Sequence, residues 1–226
     1  MGDPVGAGLV ASLAQPGGNV TGLTQIAPEL WGKRLELLKE VVPKLFRVAV
    51  LWNADAPGQK PQMESAEVAA KALLLKLQPL DVRDTNDFEA AFRTASRGRA
   101  DAIIALNSPR FASHRLQIVG LTTKHRLPSV HASSDWVESG GLMSYGSNSA
   151  DRWRRVSHYV DRILKGAKPA DLPVEQPKKF DFVINLKTAK QIGVTIPPNV
   201  LARADKVIKY HAAIEGLNCF LRHNVA

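Results

Sequence analysis

The sequence predicts an α/β fold, an open parallel sheet with helices on both faces. Three observations carry that prediction. Short runs rich in Val, Ile and Leu recur from residue 46 onward, a longer amphipathic segment follows each, and clusters of Gly, Pro, Asn and Asp separate them. Uninterrupted apolar runs are what strands buried on both faces require.

The strands are expected at Phe46 to Trp52 (FRVAVLW), Lys76 to Val82, Ala102 to Leu106, Ser129 to Ala132 and Gly141 to Tyr145. Turn-forming stretches such as Asn53-Ala54-Asp55-Ala56-Pro57-Gly58 and Asn107-Ser108-Pro109 bound them. Between the strands, Leu30, Leu35, Leu38 and Val41 or Val42 fall near helical spacing over 28–42, and Pro43 ends that helix. Further helices are expected over 61–75, over 87–96 with Asn86 or Asp87 as cap, and over 111–125. Together these make a Rossmann-like lobe.

A long helix capped by Ser149 or Asp151 then runs to Leu164 and closes at Lys165-Gly166. The stretch 167–178 (AKPADLPVEQPK) holds three prolines and no apolar periodicity, so it reads as an extended linker. A strand at 182–185, a short helix at 186–192, a turn at 195–198 and a last helix at 200–207 complete the pattern. Residues 209–226 show no clear assignment.

Composition narrows the function classes. With 45% hydrophobic residues the chain holds enough apolar matter for a packed core. A single cysteine, Cys219, permits no internal disulfide and no cysteine metal cluster. No apolar run approaches membrane-spanning length, and no signal sequence precedes Gly2, so the chain as written is expected in the cytoplasm. Net charge is +9, which raises nucleic-acid binding. The basic residues are dispersed, however, over Lys33-Arg34, Arg97 and Arg99, Arg152 with Arg154-Arg155, and Lys178-Lys179, and no aromatic residues interleave them as a stacking platform needs. No nucleic-acid partner is expected.

Catalytic signatures are weak. Gly6-Ala7-Gly8 lacks a third glycine and a preceding strand, and neither a phosphate-binding loop nor a nucleophile elbow occurs. The histidines do not fall at metal-ligand spacing, so no metal and no cofactor is expected. An enzyme using Asp135 or His131 as base lacks a nucleophile beside it. What stands out is a set of small polar residues just after the predicted strands, Asn53 and Asp55, Asn107 and Ser108, and Ser133, Ser134 and Asp135, with Tyr145 ending the strand before the long helix. In an open α/β sheet ligands collect at those carboxyl ends. Such groups suit a polar zwitterion or a sugar, and the same residue types also serve simply as turn formers and helix caps.

Several longer motifs bear a resemblance. Asp3 to Val10 (DPVGAGLV), Pro16 to Gly22 (PGGNVTG), Lys33 to Glu40 (KRLELLKE), Gly141 to Gly146 (GLMSYG), Ile163 to Pro177 (ILKGAKPADLPVEQP), Val183 to Lys190 (VINLKTAK) and Ile196-Pro197-Pro198 occur in order. In this the chain resembles the ABC transporter substrate-binding proteins of the tryptophan/tyrosine-binding type, from Gly2 to about Val207.

The resemblance implies a type I periplasmic binding protein, in which two Rossmann-like lobes close on a small ligand by hinge motion. It divides the chain into 1–18, a remnant of the amino-terminal lobe; 19–146, the carboxy-terminal lobe; 147–178, a helix and linker of the amino-terminal lobe; 179–207, a return to the carboxy-terminal lobe; and an atypical tail, 208–226. On this reading a signal peptide and most of the first lobe belong ahead of Gly2, and the location is periplasmic. The implied function is capture of a small solute, an aromatic amino acid among the candidates, for an ABC transporter permease, without catalysis. Asp135 is the candidate for the ligand amine, with Asn107, Ser108, Ser134, Asn53 and Asp3 as further polar contacts and Tyr145 near the hinge. Trp153, Val156, Val160, Ile163 and Leu164 form an apolar stripe expected to drive self-association through the helix at 149–166. The competing reading is a small basic α/β interaction or regulatory module that binds a protein or nucleic acid.

Overall fold

Strand β1 (Arg47–Trp52) occupies the interior of one sheet because its residues are apolar on both sides: Val48, Ala49, Val50 and Leu51 are all fully buried. The computed structural model describes residues 4–6, 8–24, 29–56, 58–177 and 179–209. Asp3 and the tail from residue 210 lie outside the described residues. The remaining strands are β2 (Lys76–Asp81), β3 (Ala102–Ala105), β4 (Ser129–His131), β5 (Met143–Ser147), β6 (Phe180–Asn185) and β7 (Lys206–Ile208). They form one sheet in the order β2-β1-β3-β4-β5-β6-β7. All neighbours are parallel except β5 and β6, which pair antiparallel from Met143 opposite Ile184 to Ser147 opposite Phe180.

Alternation along the strands feeds two separate cores. Val48, Val50, Ile104, Val130, Met143 and Ile184 meet α1 (Glu29–Val41), α2 (Gln59–Ala72), α8 (Leu186–Ile192) and α9 (Pro198–Leu201) on one face. Ala49, Leu51, Ile103 and Ala105 meet α3 (Asp87–Arg97), α4 (Pro109–Ser113), α5 (Arg115–Lys124) and α6 (Ser134–Glu138) on the other. Phe88 and Phe111, both fully buried, pack edge to face at 5.8 Å between α3 and α4.

Several sequence expectations are corrected. The helix expected over 111–125 is two, because Ser108 caps an earlier start with Pro109 in the first turn and the backbone leaves helical geometry at His114. The expected strand at 141–145 lies two residues later, since Gly141 turns beneath Trp136, whose carbonyl accepts the Gly141 N–H at 2.8 Å. The helix expected over 200–207 stops at Leu201, and β7 replaces its end; Asp205 exchanges bonds with Phe182 at 2.7 and 2.8 Å and starts the pairing with β6. The proline-rich stretch 167–178 is not a bare linker: it forms a short 3-10 helix at Pro169–Asp171 and buries Leu172 and Val174.

Residues 8–24 and α7 (Ser149–Leu164) with the stretch after it form a layer outside the sheet. Val174 N–H donates to the Leu13 carbonyl at 2.7 Å, Thr24 N–H to Glu175 at 2.9 Å and Glu175 N–H to Gly22 at 2.9 Å. Tyr159 is the one buried side chain described in α7, and its hydroxyl donates to the Pro173 carbonyl. Trp153, Val160 and Leu164 remain 65%, 50% and 81% exposed, so most of the predicted stripe is uncovered, with Val156 half-buried.

Candidate functional site

The carboxyl ends of β1, β3, β4 and β5 and the amino end of β6 open on one edge of the sheet, and the loops there carry the polar residues noted from sequence. Their roles differ. Asn53 is buried and serves its own turn: Oδ1 accepts the Asp55 N–H at 3.0 Å and its carbonyl accepts the Ala56 N–H at 3.1 Å. Asp55 pairs with Arg83 at 3.2 Å, beside Asp81 on the same guanidinium at 2.7 Å. Both are exposed links between the ends of β1 and β2.

Asn107 and Ser108 sit half-buried at the end of β3. Gln62 grips the Asn107 backbone twice, its Oε1 accepting the N–H at 2.8 Å and its Nε2 donating to the carbonyl at 3.0 Å. Buried Gln59 adds a second amide donor to that carbonyl at 3.0 Å and accepts the Asn53 N–H at 3.3 Å. The Asn107 backbone is thereby fixed, while its carboxamide makes no hydrogen bond among the described residues. Ser108 caps α4 by accepting the Phe111 N–H at 3.5 Å.

After β4, Ser133, Ser134 and Asp135 enter α6. Asp135 is exposed and accepts a long bond from the Ser133 hydroxyl at 3.5 Å, and half-buried Ser134 uses its side chain in no hydrogen bond among the described residues. Below them His131 is fully buried, stacked on Trp136 at 4.5 Å and hydrogen-bonded through Nε2 to the Ser129 hydroxyl at 3.0 Å. Burial, and with it the positive charge of Arg34, pushes the His131 imidazole down to about 3. It is therefore neutral at physiological pH and holds α6 in place. At Gly146 the strands approach so closely that a Cβ would overlap the Ala132 carbonyl, which fixes the β4 loop against β5.

Tyr145 does not end its strand, as the sequence suggested, but lies half-buried in the middle of β5, because the antiparallel pairing with β6 carries the strand on to Ser147, and its ring stacks on Phe180 of β6 at 6.0 Å and 22°. Its carbonyl accepts a bond from Arg34 Nε at 2.8 Å, and the same guanidinium lies 4.9 Å from the Trp31 ring centre. Burial pulls Arg34 down to about 10, against the opposing influence of Tyr145.

The edge thus gathers Asn107, Ser108, Ser134, Asp135 and Tyr145, with Asn53 held back as a turn former. Gln59, Gln62, Arg34 and Phe180 were not singled out from sequence. The two glutamines lie three residues apart on one helical face, which was the available signal. No group of three or more His, Cys, Asp or Glu side chains among the described residues could hold a metal. No described helix is long and apolar enough to cross a membrane.

Comparison with known proteins agrees with this architecture. Residues 1–208 match the family described as ABC transporter substrate binding protein. A tyrosine-binding protein of Clostridioides difficile is 25% identical over 192 residues, 85% of this chain and 55% of the relative, so the chain spans about half the length of that curated relative. Among solved structures, an ABC domain from Streptococcus pneumonia in complex with L-Trp superposes with a TM-score of 0.82 at 32% identity, over 92% of this chain and 69% of that one. A conserved domain protein of Vibrio cholerae superposes with a TM-score of 0.83 at 33% identity, over 91% and 68%. A seven-stranded, mostly parallel sheet covered by helices on both faces is the type I periplasmic binding protein architecture these structures share. The chain belongs to the ABC transporter substrate-binding protein family.

Proposed function

We propose that the protein captures an aromatic amino acid at the strand-end edge and delivers it to an ABC permease outside the cytoplasm, without catalysing a reaction. The observation that carries this reading is the likeness to the L-Trp complex, at 32% identity and a TM-score of 0.82. The site chemistry supports it: Asp135 offers an exposed carboxylate for an ammonium group, Asn107 and Ser134 offer hydrogen-bonding side chains, and the Tyr145–Phe180 pair offers aromatic surface. The chain crosses between lobes near 19–23, after Tyr145 and ahead of Phe182, so that 19–146 and 179–207 build one lobe while 1–18 and 147–178 belong to the other. Hinge closure across those crossings completes the site.

Isothermal titration and amide NMR on the 226-residue chain test this with L-Trp, L-Tyr, D-Trp and L-Leu. The expected result is binding of the L-aromatic ligands alone, with shifts at Asn107, Ser134, Asp135 and Tyr145. Equal response to D-Trp and L-Leu, or no shift at those amides at saturation, would sink the proposal.

A further inference from the structure

A cavity of about 210 Å³ lies beside the three crossing segments, lined by residues from 23–24, 147–155 and 176–179. None of Asn53, Asn107, Ser108, Ser134, Asp135 or Tyr145 lines it. Its charges do not cancel. Arg155 is committed to Glu175, and Asp151 pairs with Arg154 at 3.4 Å. Among the described residues the Arg152 guanidinium makes one long bond, to the Ser147 hydroxyl at 3.5 Å, and the Lys179 ammonium has no carboxylate within reach. Two cations outside any ion pair among the described residues therefore line the cavity beside the Asp151 carboxylate and the Asn148 amide that serves Asp181, while Leu23 and Pro177 give it apolar wall.

We propose that this cavity is a second binding site, for a small organic carboxylate whose hydrocarbon body rests on Leu23 and Pro177 and whose oxygens meet Arg152 and Lys179. Charge-assisted bonds to the two cations would orient the carboxylate. The apolar wall favours a carboxylate with a carbon skeleton over a fully hydrated inorganic anion. Because the occupant touches all three crossing segments at once, it would tie them together and stiffen the crossing.

Amide NMR and titration calorimetry on the full 226-residue chain with benzoate, benzamide and inorganic phosphate test the proposal, repeated in saturating L-Trp. Benzoate is expected to bind once per chain and to shift the amides of Ser147, Asn148 and Arg152, with benzamide and phosphate at least about tenfold weaker. The double variant Arg152→Gln/Lys179→Gln should lose binding about tenfold or more, whereas Arg152→Lys/Lys179→Arg should retain it, separating loss of charge from loss of fold. Saturating L-Trp should leave benzoate binding unchanged whether or not L-Trp itself binds. No binding of benzoate, equal binding of phosphate, an unaffected Gln variant, or displacement by L-Trp would each overturn the assignment.

Discussion

Arg34 reaches across from α1 to donate its Nε–H to the main-chain carbonyl of Tyr145 at 2.8 Å, under cover of Trp31. A buried guanidinium thus holds the middle of β5, two residues short of its carboxyl end. Two opposing effects decide what its removal does. Arg34→Met leaves the Tyr145 carbonyl short of a partner, at about 1–3 kcal/mol, but also relieves the burial of a charge whose pKa is already pulled down to about 10. The expected outcome is a small global effect, within about 1 kcal/mol by urea unfolding, together with faster amide exchange around Tyr145 and Phe180. A global loss of several kcal/mol would mean that the charge has a further partner.

His131 predicts an acid dependence. Its folded pKa, near 3, lies below the ordinary 6.5 because burial disfavours the imidazolium. Between those values the unfolded chain binds the proton and the folded chain does not. Stability is therefore full above about pH 6.5 and falls as pH drops toward 3, by about 2.5 kcal/mol between pH 7 and 4.5. His131→Phe keeps a ring against Trp136 and removes the titration. Unfolding free energies from urea at the two pH values should differ less in the variant by about 2.5 kcal/mol, and an unchanged difference would refute the assignment.

Gln62 sets the loop after β3. Gln62→Ala removes both bonds to the Asn107 backbone and is expected to cost about 1–2 kcal/mol. The Asn107 amide should exchange about tenfold faster or more, while amides in β1 follow only the global change. Uniform acceleration across the sheet would show that the clamp is not local.

The exposed stripe of α7 predicts concentration-dependent self-association, because Trp153, Val160 and Leu164 present contiguous apolar surface. Sedimentation velocity should show the chain shifting to larger species with concentration. The pair Trp153→Arg/Leu164→Glu should keep it monomeric at unchanged helicity, and a wild-type chain that stays monomeric throughout would contradict the prediction.

The sheet was legible in the sequence wherever strands are buried on both sides. FRVAVLW at 46–52 and the run at 102–106 stand within a residue of β1 and β3, because continuous Val, Ile and Leu admit little else between turn signals. Short elements were less legible. The five residues of α6 offer no helical period, and β7 exists because Asp205 and Lys206 meet β6, a partner distant in sequence. In the candidate site, Asn107, Ser134 and Asp135 were visible as polar groups after strands. The glutamine clamp and the Arg34 support were not, since each acts through a main-chain carbonyl brought near only by folding.

The reversal between β5 and β6 has a mechanical side. The chain leaves the sheet at Ser147 and re-enters at Phe180, two residues that face each other in the antiparallel ladder. A pull on the intervening excursion bears on the ladder from one end and opens it bond by bond, as a zipper, instead of loading all its bonds at once in shear. A load carried by the excursion between Ser147 and Phe180 therefore meets this ladder one rung at a time.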